Sequence, residues 1–297
     1  MMASEFPRGS NAPVSREVVD SVCGRDESSR CETGEQYDPS WFARLAALED
    51  GSFWFRGRSD LIEWVFRRYL PDIKSFMEVG CGTGYVLGRL CRRFPQIAFS
   101  GSELFAEGLR FARTRVPESV RLYRTDMADM RFEEAFEAIG AFDVIEHIRD
   151  HGAALRNMRR ALKPGGWIVL TVPQHEWLWS SADVEARHVR RYTRRALTSI
   201  LQTEGFEIER MTSFVSLLFP ALTLSRLRNR NNRGARVETQ LRLPRGLNEI
   251  AYATLRAERA LIRAGLNLPL GGSLLAIARK SAGDERQVAA TMSPPSP

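Results

Sequence analysis

The chain has 297 residues, 43% of them hydrophobic, which suffices for one large α/β domain with an elaboration, or two small ones, and excludes a wholly disordered chain. Its net charge of +7 comes from arginine, since only Lys74, Lys163 and Lys280 are lysines, so it argues for a basic patch rather than a nucleic-acid footprint. No apolar run reaches the ~18–20 residues that span a bilayer, no signal-peptide pattern opens the chain, and Cys23, Cys31, Cys81 and Cys91 form neither a zinc spacing nor a disulfide framework, so the chain reads as cytoplasmic.

Residues 1–36 and 282–297 are poor in hydrophobics and read as a disordered leader and tail. Residues 37–72 form an N-terminal helical lid, in which Ser59 or Asp60 caps a helix carrying Leu61, Ile62, Val65, Phe66 and Tyr69 on one face, stopped by Pro71. From Ser75 the periods alternate. Short apolar runs at 75–79, 97–101, 119–124, 137–143 and 166–172 predict strands, and 85–94, 105–115 and 150–162 predict helices between them. Thr193 caps a further helix ended by Gly205, followed by strands at 206–214 and 273–279.

Such alternation predicts an α/β fold, a Rossmann-like seven-stranded sheet with helices on both faces and an antiparallel last strand. The last two strands can pair as a hairpin, yet some sixty residues separate them. A structureless loop of that length is improbable in a compact domain, so residues 215–271 read as a helical insertion, and 73–214 plus 272–281 as the core.

The densest signal is Glu78-Val79-Gly80-Cys81-Gly82-Thr83-Gly84, a strand-to-helix turn whose glycines let a ligand approach the backbone and its free N–H groups. Alone it serves NAD, a phosphate or S-adenosylmethionine; the dinucleotide fingerprint wants a glycine where Tyr85 stands. Glu103, nineteen residues past Gly84 and followed by Leu104, is placed to accept both hydroxyls of a ribose, although a helix-capping glutamate would look the same. Asp126 can accept from an adenine amino group while Met127 packs on the ring; a turn-forming aspartate is the alternative.

Taken in order, Glu78 to Gly84, Glu103, Asp126, Phe142-Asp143-Val-Ile-Glu146-His147 and Leu162-Lys-Pro-Gly-Gly-Trp-Ile-Val-Leu170 resemble the class I S-adenosylmethionine-dependent methyltransferases, particularly the branch with the ubiquinone-biosynthesis O-methyltransferases. The resemblance spans roughly residues 50–214 and 273–280. It implies that Gly80, Cys81, Gly82 and Gly84 hold the methionine moiety with Glu78 bracing the loop, that Glu103 and Leu104 take the ribose and Asp126 with Met127 the adenine, and that Asp143 lies beside the sulfonium. An NAD-type reductase and a non-catalytic partner of the same fold are the competing readings.

A general base is needed only if the acceptor carries a proton worth removing. His147 and His175 follow the fourth and fifth strands; His188, in Arg187-His-Val-Arg-Arg-Tyr192, matches a segment that covers the acceptor site in relatives, with Tyr192 the ring turned inward. Buttressing of a helix by His147 and an exposed basic turn at His188 are the alternatives. Some ubiquinone-pathway relatives bind a divalent metal through Glu-x-x-Glu-His, but Asp143 shortens the first ligand here and no metal is assigned. Trp41, Phe42, Phe53, Trp54, Phe55, Trp177 and Trp179 flank the cleft, which suits an apolar or planar small-molecule acceptor. Finally, the apolar run Phe214 to Leu224 leads into Arg226, Arg228, Arg230, Arg233 and Arg236. It can dock on an anionic membrane at the inner face, or pack on the sheet or on a second copy in a homodimer.

Overall fold

The computed structural model describes residues 40–229 and 242–281. The leader and tail expected to be disordered, and Arg230, Arg233 and Arg236, lie outside them. Strands β1 (Ser75–Val79), β2 (Ala98–Glu103), β3 (Arg121–Arg124), β4 (Phe136–Phe142), β5 (Leu162–Pro173), β6 (Phe206–Phe214) and β7 (Ser273–Lys280) form one sheet in the order β3-β2-β1-β4-β5-β7-β6. Pairing is parallel from β3 to β5, and β7 is antiparallel to both its neighbours. The order of connection reverses between β1 and β4, where an open α/β sheet leaves a crevice at its carboxyl edge.

Strand alternation sorts the core into two layers. Phe76, Ala138, Val169 and Leu275 join the cluster that also holds α3 (Tyr85–Arg93) and α4 (Ala106–Arg115). Their neighbours Met77, Ile139, Leu170 and Ala276 join the cluster of α5 (His151–Ala161) and α7 (Arg194–Thr203). Thr193 caps α7, its side chain accepting from the Ala196 N–H at 3.0 Å. A short helix, α6 (Ser181–Glu185), stands between β5 and α7.

The lid comprises α1 (Ser40–Glu49) and α2 (Phe53–Tyr69), and here the expected cap is wrong. Ser59 and Asp60 sit inside α2, whose N-cap is Ser52, and Ser52 makes no side-chain cap bond. The first-turn donor is satisfied from far along the chain instead: the Phe53 N–H donates to Asn248 Oδ1 at 2.8 Å. Asp60 is an ion-pair partner, meeting Arg89 at 2.9 Å and Arg259 at 2.6 Å.

Between β6 and β7 lie α8 (Phe219–Asn229) and α9 (Arg245–Arg263). Helix α9 packs along α2, with Leu255 against Gly57. Asn248 Nδ2 donates to the Gly51 carbonyl at 2.9 Å, and Tyr252 Oη donates to Asp60 at 2.8 Å. Glu258 accepts the N–H groups of Val215, Ser216 and Leu217 at 2.6, 2.5 and 2.8 Å, closing the turn that leaves β6. Helices α2 and α9 are thus one packed unit over one sheet face.

Phe66 on α2 is fully buried and stacks among Phe76, Phe94 and Phe99. Phe66→Ala is expected to lower unfolding stability by ~3–5 kcal/mol in urea titration, because the rings around it cannot close the cavity.

Candidate active site

The crevice begins at the loop after β1. Gly80, Gly82 and Gly84 hold φ of 65°, 53° and 74°, which side-chain-bearing residues rarely adopt. A Cβ at Gly80 would lie 2.7 Å from Val144, and one at Gly84 would lie 2.7 Å from Ala112 Cα; at Gly82 it would meet nothing within 4 Å. Gly80 and Gly84 therefore let neighbouring elements close in, while Gly82 presents bare backbone to open space. Thr83 donates to Glu49 Oε1 at 2.6 Å and accepts from Arg115 at 2.7 Å, which ties the loop to the lid.

Glu103 reaches back from the end of β2. Its Oε2 accepts the Gly82 N–H at 3.0 Å, and its Oε1 accepts those of Leu104 and Phe105 at 2.8 and 3.1 Å. Burial pushes its pKa up and the three N–H bonds oppose this. Asp126 is exposed beyond β3 and caps the turn at Met127–Asp129, its Oδ1 accepting from Ala128 at 2.9 Å. Met127 is buried in the core cluster that includes Tyr123. Cys81 is buried too, and burial raises its thiol well above the usual range.

Asp143 closes β4 with φ 57°. Its Oδ2 accepts from Thr171 Oγ1 at 3.0 Å and from Arg58 Nη1. Arg58 comes from the lid helix, is buried, and lies 4.4 Å over the Trp54 ring. Its charge also reaches the buried Glu78 and Glu146. Burial lifts Glu78 to about 8, against the opposing pull of Arg58, and its Oε2 has no hydrogen-bond partner. Glu146 is fully buried with both oxygens unpartnered, and burial followed by the Asp143 charge holds its pKa far above the carboxylate range.

Of the histidines, the structure brings two together. His147 and His188 meet edge to face with ring centroids 4.9 Å apart, and the ligand-capable atoms of Glu146, His147 and His188 lie within 4.8 Å of one another. One edge of His147 is open to solvent, yet crowding by protein atoms and then the His188 charge lower its pKa. His175 belongs elsewhere, packed on Trp177 and Phe219 with centroids 5.5 and 5.6 Å away. Tyr192 is turned inward, but its hydroxyl is 2.7 Å from His151 Nδ1 and donates to the Ile145 carbonyl at 3.4 Å. Burial raises its pKa further, so Tyr192 supports the site rather than titrating in it.

This frame suits a ligand with an adenosine at one end and a cation at the other. Gly82 gives it access, Glu103 and Asp126 offer acceptors at successive strand ends, and the orphaned Glu78 oxygen is buried behind the loop. Residues 48–210 match the family described as "Methyltransferase domain". The chain belongs to that family. Its curated relatives include S-adenosylmethionine-dependent methyltransferases, and S-adenosylmethionine is the cofactor of this methyltransferase domain. The NAD reading is set aside.

A dTDP-3-amino-3,4,6-trideoxy-α-D-glucopyranose N,N-dimethyltransferase of Streptomyces venezuelae is 32% identical over 147 residues, covering 46% of this chain and 59% of its own. A ubiquinone biosynthesis O-methyltransferase of Idiomarina loihiensis is 29% identical over 123 residues, covering 39% and 49%. The resemblance to the ubiquinone branch is thus one of several. Among solved structures, the phosphoethanolamine N-methyltransferase 2 of Haemonchus contortus, in complex with S-adenosyl-L-methionine, has a TM-score of 0.56 at 18% identity, covering 87% of this chain and 61% of that one. This shares the fold. The chain spans 59% of the length of the first curated relative.

Three residues of the site carried no assignment in the sequence. Glu146 stood in a quoted motif without a role; Arg58 and Asp183 had no local signal, because their partners are remote in the chain or depend on a fold-back.

Glu78 keeps its proton in the folded chain up to about pH 8, whereas its ordinary value is 4.5. The folded state therefore binds more protons across that window, and stability falls as pH rises through it. Glu78→Gln is expected to flatten the decline of Tm between pH 5 and 8, read by calorimetry at matched ionic strength.

Proposed function

We propose that this domain transfers a methyl group from S-adenosylmethionine to a small-molecule acceptor seated between the glycine loop and the Glu146–His147–His188 corner. The observation that carries the reading is that Asp143 follows β4 at the switch point of the sheet, beside Val144, which abuts Gly80 of the loop, and three residues before Glu146 of that corner. The cofactor supplies an electrophilic sulfonium methyl. The chain's own residues supply alignment and a dry site, the main sources of rate when the leaving group needs no acid.

Glu103 fixes the ribose. Three N–H groups already use three of its roughly four lone-pair sites, so a diol takes over the place of the Gly82 N–H. Arg58 balances the Asp143 carboxylate, which leaves that aspartate a hydrogen-bond acceptor rather than a competing nucleophile. His188 or His147 receives a proton at a ring nitrogen when the acceptor is a hydroxyl, a phenol or an ammonium. The Trp54 ring under the Arg58 guanidinium is the aromatic surface beside Asp143 and suits a planar or lipophilic acceptor of quinone-precursor, lipid or natural-product type. The relatives named for amino-sugar dimethylation offer an amine as the second reading.

Incubation with methyl-labelled cofactor and a bacterial extract separates the two. Label in the organic phase supports the lipophilic acceptor, and label confined to water-soluble amines overturns it. Glu103→Ala is expected to weaken cofactor binding by calorimetry tenfold to a hundredfold, the equivalent of ~1.5–3 kcal/mol. His188→Ala should leave that affinity intact and lower turnover by ~10²–10⁴.

Helix α8 bears on where a lipophilic acceptor would come from. Leu224 and Leu227 are exposed on its outer side, with Leu217 before it and Trp177 beside its first turn. Phe219 instead faces inward onto His175 and Trp177. Among the described residues no helix is long and apolar enough to cross a membrane. A leucine stripe on a chain of net charge +7 suits peripheral docking on an anionic bilayer. Flotation with anionic vesicles should be lost in Leu224→Asp and weakened by salt; binding indifferent to both counts against docking.

A further inference from the structure

His188 is held from behind. Its Nδ1 lies 2.9 Å from Asp183 Oδ1, while its Nε2 faces Glu146 at 3.9 Å. Asp183 is 1% exposed and sits in the first turn of α6, where it completes a capping box with Ser180. The same carboxylate accepts from Arg191 Nε at 2.7 Å and from Arg226 Nη1 at 3.1 Å. Arg191 is in turn fixed by donating to the Gln174 carbonyl at 2.9 Å. Burial alone would raise the Asp183 pKa, but the His188 bond and then the two arginines more than cancel it, so a carboxylate anion is kept in the interior.

The partners come from three places. Arg191 and His188 belong to the segment before α7, Asp183 to α6, and Arg226 to α8 of the insertion. A buried carboxylate bonded to the ring N–H of a histidine fixes the tautomer and leaves the other nitrogen bare as a proton acceptor. Two arginines are more than neutralisation of one carboxylate requires; they lock both its oxygens in place.

We propose that Asp183 is the positioning residue for His188 as general base, and that Arg226 holds Asp183 in register, so that the inserted helix α8 sets the geometry of proton removal. The proposal rests on the methyl-transfer reading above. In the reacting step the acceptor's O or N forms a bond to the methyl carbon as the S–CH3 bond breaks and its electron pair returns to sulfur. The acceptor's proton passes to His188 Nε2, and the imidazolium is stabilised through Nδ1–H by the Asp183 carboxylate until the proton leaves to water.

The test is nitrogen-15 NMR of imidazole-labelled full-length protein, with the His188 signal assigned by its loss in His188→Gln. Wild type should show Nδ1–H and a bare Nε2. In Asp183→Asn the amide oxygen takes the Oδ2 place, accepting from Arg226 and the Ser180 N–H, and its NH2 takes the Oδ1 place beside the ring, so His188 should switch to Nε2–H. Turnover on the labelled-extract acceptor should then fall ~10²–10⁴-fold, with S-adenosylmethionine affinity by calorimetry unchanged. Arg226→Gln should lower kcat in the same direction by a smaller factor and add little on top of Asp183→Asn, since both act through one carboxylate.

An Nε2–H tautomer in wild type, or an Nδ1–H tautomer with unchanged kcat in Asp183→Asn, overturns the proposal. Should Asp183→Asn fail to fold, the wild-type tautomer and the Arg226→Gln turnover decide it. Failure of the underlying methyl-transfer reading looks different: S-adenosylmethionine then does not bind the wild-type chain at all.

Discussion

One buried guanidinium organises the crevice. Arg58 enters from the lid helix, bonds Asp143 at the end of β4, and lowers the cost of the buried Glu78 and Glu146. Three ionised carboxylates in one apolar corner would repel one another; desolvation raises the pKa of Glu78 and Glu146, and the Arg58 charge opposes that rise. A buried pair is weak evidence of net stability, because taking both charges from water offsets much of their attraction. What it secures is placement. The lid can sit on the sheet in the arrangement that lets Arg58 reach Asp143, and a displaced lid leaves a charge without its partner.

The lid is held to that placement from two sides. Glu49 binds Thr83 and Arg115, tying α1 to the glycine loop. Helix α9 supplies Asn248 to the start of α2 and Arg259 to Asp60. The helices between β6 and β7 therefore bear on two places: α9 holds α2, and α8, the first of the two, reaches Asp183 through Arg226. Residues between β6 and β7 thus touch both ends of the crevice although they belong to neither wall.

Electrostatics divide the crevice along the same line. At the glycine loop, backbone N–H groups meet the Glu103 carboxylate, an arrangement suited to polar edges. At the other end stand the His147 and His188 imidazoles and the buried Glu146, whose pKa burial raises. A sulfonium and an acceptor anion lose charge as they react, so a less polar second half favours the transition state over the separated ions.

The sequence by itself determined the strands, the helices on both faces of the sheet and the glycine loop. Those depend on local chemistry: short apolar runs alternating with helical periods, glycines at turns needing positive φ, and an acid at a fixed distance from the loop. Helix α7 was legible for the same reason, since Thr193 caps it within three residues. The start of α2 was not, because its cap is Asn248, nearly two hundred residues away, and no local pattern encodes a donor satisfied at that range. Likewise His147 and His175 were alike in following strands, and His188 stood in a basic segment before the Thr193 cap; only the fold-back of residues 183–192 set His188 beside His147 and backed it with Asp183, while His175 turned into an aromatic cluster. Arg58 is the plainest case: one arginine among many in the sequence, it gains its role only where packing buries it against three acids, since charge becomes specific once water no longer screens it.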